Sequence, residues 1–115
     1  MFKACIEFLK HIRDEINFIL TNTRSISQEE FVHDEILSRA AIRSLEIIGE
    51  ACKKLPPDFK SAYPQIKWKE IAGTRDKLIH DYFGVDYDIV WDIIENELPD
   101  LLPAIVHIIE LEEKK

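Results

Sequence analysis

An all-helical, up-and-down bundle is the fold this sequence predicts, on three observations. Apolar residues recur in steps of three and four along most of the chain, the period of an amphipathic helix rather than the alternation of a half-buried strand. Only three glycines and five prolines punctuate 115 residues, too few to separate many short strands. Hydrophobic residues make up 46% of the chain, enough to fill one core in a chain too short to divide it, so residues 1–115 read as one domain.

The first helix is expected over residues 2–20, where Phe2, Ile6, Leu9, Ile12, Ile16, Ile19 and Leu20 share one stripe. The polar stretch 21–27 ends it. Ser27 followed three residues later by Glu30 is the pattern of a capping box, which opens a second helix near Gln28. That helix is expected to run to about Leu55, where Pro56 and Pro57 stop it. It carries two apolar stripes, one through Leu37, Ala41, Leu45, Ile48, Cys52 and Leu55, the other through Ile36, Ala40, Ile47 and Ala51. Such a helix is expected to be packed from two sides, in the middle of a bundle.

Residues 58–67 read as a short connection with room for one helical turn, closed by Pro64. Residues 68–83 form the next helix, with Trp68, Ile71, Ala72, Leu78, Ile79 and Phe83 on one stripe. Gly84 stands where a left-handed cap would end it, and Asp86 can cap the helix after it. Residues 87–97 and 98–112 then read as one bent helix or two in succession, because Pro99 and Pro103 suit a helix start better than its middle. The count is five helices, with residues 112–115 as a frayed tail.

The formal net charge of −7 argues against general affinity for nucleic acid, but its distribution is uneven. Residues 1–50 hold six basic and nine acidic side chains and residues 81–115 hold two and ten, whereas residues 51–80 hold seven and three. The basic segment ends at His80. No apolar run is long enough for a membrane span, and Lys3, Glu7 and Lys10 break the first apolar stretch, so a cytoplasmic protein is expected. Cys5 and Cys52 are too few and too far apart for a disulfide framework or a zinc knuckle, and read as buried thiols.

One residue breaks the helical pattern. The stripe of the helix at 68–83 steps by sevens from Trp68 to Arg75 and Tyr82, so a guanidinium takes a core-facing position, which is tolerated only when a partner or a ligand phosphate compensates its lost hydration. His80 lies five residues on, about 140° around an ideal helix. Asp76, four residues before His80, shares its face and can orient the imidazole. Spacing alone does not separate catalysis from a structural ion pair. Asp81, Asp86 and Asp88 are better explained by helix-end chemistry than by a magnesium site, and His11, His33 and His107 lack ligand spacing, so no metal is expected.

Residues 43–55, RSLEIIGEACKKL, and 68–86, WKEIAGTRDKLIHDYFGVD, followed by IVWDIIENELP, resemble the HepT family of the HEPN superfamily. The resemblance runs from the SQEEF segment at residues 27–31 to Pro99. The shared motif is an Arg, four to six residues, then a His, here Arg75 and His80, with Asp76 after the Arg where the family's pattern has an amide, and Tyr82 two residues after the His.

The resemblance implies a HEPN-like bundle that forms homodimers, with the active cleft at the interface. It also implies a metal-independent ribonuclease acting as a toxin. Its partners would be RNA and a small nucleotidyltransferase antitoxin, MntA-like, which adds AMP to Tyr82. In this reading Arg75 and His80 are catalytic and need no cofactor, Asp76 orients His80, and Lys69 and Lys77 touch the RNA backbone. Two rivals are a catalytically silent dimer that binds nucleotides or a partner, and a metal-dependent nuclease using the aspartates after His80.

Overall fold

A computed structural model of the chain describes residues 3–79 and 86–115, apart from the side chains of Lys3, Arg75, Asp76 and Ile79. Among the described residues there is no strand. Seven α-helices follow in order: α1 Lys3–Thr23, α2 Gln28–His33, α3 Glu35–Lys54, α4 Pro57–Ala62, α5 Trp68–Ile79, α6 Tyr87–Asp92 and α7 Leu98–Glu113. A π-helical turn, Ile93–Glu97, joins α6 to α7.

Burial follows the period that the sequence announces. Along α1 the buried positions are Cys5, Leu9, Ile12, Ile16 and Ile19, an alternation of fours and threes that keeps one face inward. Each such aliphatic side chain contributes about 1.5–3 kcal/mol when removed from water. That face packs against α3 and α7, and α3 in turn packs against α5. α3 therefore lies between α1 and α5, as its central apolar stripe requires. Ala41, Leu45, Ile48, Cys52 and Leu55 are all buried.

The second stripe of α3 behaves differently. Ala51 is buried, Ala40 and Ile47 are half-exposed, and Ile36 is 85% exposed, so the described chain does not cover this side along its whole length. The expected single helix over 28–55 is also divided. Asp34 adopts an extended conformation (φ −90°, ψ 94°), and its carboxylate accepts from the Leu37 N–H at 2.9 Å, capping a new helix. The break lets α2 turn Phe31 into the core, where its ring lies 5.4 Å from that of Trp91 in α6. The capping box that opens α2 is present as expected, with the Glu30 N–H donating to Ser27 Oγ and the Ser27 N–H to Glu30 Oε1.

The connection after Pro56 contains α4, which buries Phe59. From Tyr87 onward the chain is one continuous helical run, and the π turn answers Pro99. A proline has no N–H and its ring collides with the carbonyl four residues back. Here the turn widens before it, so that the Leu98 N–H reaches the carbonyl of Ile93, five residues back. The expected frayed tail is corrected. α7 extends to Glu113, and Glu112 is buried, with the Tyr63 hydroxyl and, at 2.8 Å, the Lys115 ammonium donating to its Oε2. A carboxylate is held inside only where donors replace its water, and here two do.

Candidate active site

α5 is fixed at both ends. At its start the Trp68 indole N–H donates to the Tyr63 carbonyl at 3.0 Å, and the Phe59 ring packs tilted against Tyr63 and Trp68, with centroids 5.1 and 6.2 Å away. Near its other end Leu78 is buried. Between these anchors Ile71, Ala72, Gly73 and Thr74 are half-exposed. The Thr74 hydroxyl bonds back to the Glu70 carbonyl at 3.1 Å, so it is satisfied within the helix.

The backbone places Arg75 and Asp76 in the second half of α5. Their side chains lie outside the described part of the structure, as do His80, Asp81, Tyr82, Phe83 and Gly84 altogether. Lys69 and Lys77 are exposed on α5, and neither forms an ion pair among the described residues. Lys67, just before the helix, is exposed in the same way. Lys67 just before α5 and Lys69 and Lys77 on it thus present three solvent-facing ammonium groups, which attract a polyanion.

Asp86 and Asp88 have structural roles. Asp86 caps α6, accepting from the N–H groups of Asp88 and Ile89 at 3.0 and 3.3 Å. Asp88 accepts from the Gln28 amide at 2.8 Å, tying α6 to α2. No group of three metal-ligating side chains exists among the described residues. His11, His33 and His107 are exposed, and the His33 ring donates to the Glu29 carbonyl at 2.8 Å. Both cysteines are free and buried, and burial pushes the Cys52 thiol up to about 12.

A groove that the sequence did not reveal runs beside α5. Gln65, Lys67, Asn96, Glu97 and Asp100 line it together with the apolar Ile66, Ile71, Leu101 and Ala104, around a volume of about 310 Å³. Ile71 and Glu97 also border a smaller recess that reaches Thr74. The only cue in the sequence was Pro99, whose π turn sets which side chains of residues 93–97 face α5.

These features define an all-α protein whose candidate site rests on α5. The family described as Ribonuclease HepT-like matches residues 6–108, and the chain belongs to that family. A relative from Caldanaerobacter subterraneus subsp. tengcongensis, named "Putative RNase", is 49% identical over 92% of this chain and 95% of its own. One from Thermococcus cleftensis, named "Probable ribonuclease HepT", is 46% identical over 83% of this chain and 86% of its own. A third, from Methanocaldococcus jannaschii and again named "Putative RNase", is 47% identical over 90% of this chain and 85% of its own. No solved structure matches. No helix among the described residues is long and apolar enough to cross a membrane.

Proposed function

We propose that this chain is a metal-independent ribonuclease, the toxin of a toxin–antitoxin pair, with Arg75 and His80 as its catalytic residues. The observation that carries the reading is the family match over residues 6–108, which contains Arg75, four residues, and His80 in the one basic segment of an acidic chain. RNA supplies its own nucleophile. The 2′-oxygen attacks phosphorus and loses its proton to a base, a cyclic phosphate forms, and the 5′-oxygen leaves with a proton from an acid. His80 serves proton transfer because an ordinary imidazole titrates near 6.5. Arg75 offers a planar fork to the phosphate oxygens as negative charge builds, and Asp76 orients His80.

A homodimer would bring two copies of the motif to one cleft, with Lys69 and Lys77 meeting the RNA backbone. Tyr82, two residues beyond His80, is the site at which a nucleotidyltransferase antitoxin would attach AMP. That phosphate would occupy the place of the substrate's own and silence the enzyme.

The test is cleavage of labelled single-stranded RNA by the purified protein in excess EDTA, wild type against His80→Ala and Arg75→Ala. Wild-type cleavage that falls by about 10²–10⁴-fold in His80→Ala is the expected result. Cleavage that stops with EDTA, or that persists in His80→Ala, overturns it. An unmodified wild-type protein that binds RNA without cutting it would favour the silent module instead.

A further inference from the structure

The groove beside α5 has a chemistry that the cleavage reaction leaves unused. Glu97, Asp100, Lys67 and Gln65 line it, and none of the four is held by a hydrogen bond or an ion pair among the described residues. Asn96 donates its amide to Asp92 at 2.7 Å, and its carbonyl oxygen has no partner among the described residues. Carboxylates in an RNA-cleaving protein repel phosphate, so Glu97 and Asp100 are unsuited to the backbone. They suit the N–H groups of a base edge, and the apolar lining, Ile71 among it, suits its ring.

We infer that this groove is a subsite for an unpaired guanine of the RNA substrate, read by Glu97 and Lys67. Among the four bases only guanine offers two adjacent N–H donors, N1 and N2, to one carboxylate, with an acceptor, O6, beside them. Glu97 accepts the two donors, and the Lys67 ammonium or the Gln65 amide donates to O6. Uracil offers a single N–H between two acceptors, while adenine and cytosine each offer an amino group beside an unprotonated ring nitrogen that faces the carboxylate unfavourably.

The groove is also in the right place. Ile71 precedes Arg75 by four residues, one helical turn and about 6 Å along α5. Thr74, the residue before Arg75, shares a small recess with Ile71 and Glu97 of the groove. A base held there belongs to a nucleotide close to the scissile phosphate. The exposed Lys69 can follow the backbone outside. The inference rests on the ribonuclease reading for its ligand class, but not on Arg75 or His80 being competent.

The experiment uses short single-stranded oligonucleotides with 2′-fluoro sugars, which lack the attacking hydroxyl and so cannot be cut by this route. Each carries one guanosine, inosine or adenosine in an otherwise uridine strand, and binding to the full chain is read by fluorescence anisotropy in EDTA. Inosine lacks the N2 amino group and so one of the two donors to Glu97, and guanosine is therefore expected to bind roughly tenfold tighter than inosine. Glu97→Gln is expected to erase that difference, whereas Lys69→Ala weakens all strands alike. Equal binding of the three strands, no binding at all, or a guanosine preference that survives in Glu97→Gln overturns the subsite. A guanosine preference in a protein that fails the cleavage test would uphold the groove and reject the catalytic reading.

Discussion

Gly73→Ala is a test of what the surface of α5 is for. Gly73 is the sixth of the twelve residues of α5, and a Cβ built on it meets no atom of the other described residues within 4 Å beyond its chain neighbours and the helix's own nearby backbone. Glycine in a helix interior is less favourable than alanine by about 0.5–1 kcal/mol, largely because its unfolded chain is freer. Nothing among the described residues opposes the added methyl, so the substitution should stabilise the folded chain by about that amount. For a domain of this size the gain corresponds to roughly 2–5 °C in Tm.

Urea and thermal denaturation measure the gain, with samples compared at equal protein concentration. A loss of stability would refute the reasoning, since it would mean that the methyl group collides with something. RNA cleavage by the same variant carries a second reading. Gly73 stands two residues before Arg75, so a variant that is more stable yet cuts RNA at least tenfold more slowly would show that substrate or a second copy needs this face bare.

Other predictions concern the rest of the bundle. Glu112 feels burial first, which raises its pKa, but the bonds from Lys115 and Tyr63 outweigh it and hold its carboxyl below the ordinary range. The stability it contributes is therefore present above the ordinary carboxylate range and is lost as pH falls through its lowered value. Tyr63 is pushed the other way, up to about 12, first by burial and then by its bond to Glu112. Its contribution is complete below about 10 and is lost as pH rises through about 12. Urea midpoints measured across pH should show both flanks, and Glu112→Gln should flatten the acid one.

Both thiols should resist iodoacetamide at pH 8.5 and react at the rate of unfolding, because both are buried and burial is the first cause raising each. Fast labelling under native conditions would contradict this. Phe31→Ala should cost about 3–5 kcal/mol, read as a lowered urea midpoint, since Phe31 is fully buried against Trp91. A cost under 1 kcal/mol would deny that α2 is pinned by it.

The legible parts of the fold were those set by local chemistry. The stripe through Leu9, Ile12, Ile16 and Ile19, the capping box of Ser27 and Glu30, the stop at Pro56 and the Asp86 cap can each be read within a few residues. Family membership was legible too, because it depends on the order of residue types along the chain. Less legible was the break at Asp34. An aspartate caps a helix or sits within one according to whether something gains from the break, and here the gain is Phe31 against Trp91, sixty residues away. The same holds for Glu112, which reads as part of a charged tail until Tyr63 is brought to it.

By itself, then, the sequence determined the helical class, the family and the candidate residues Arg75 and His80, because periodicity, caps and motif order are properties of the chain taken in line. Only the tertiary structure decided that Glu97 and Asp100 share a groove with Lys67, since their meeting depends on how α7 packs in the bundle and on the extra residue in the π turn before Pro99. Register shifts of one residue rotate a helical side chain by about 100°. No local pattern fixes which way such a shift will turn a carboxylate.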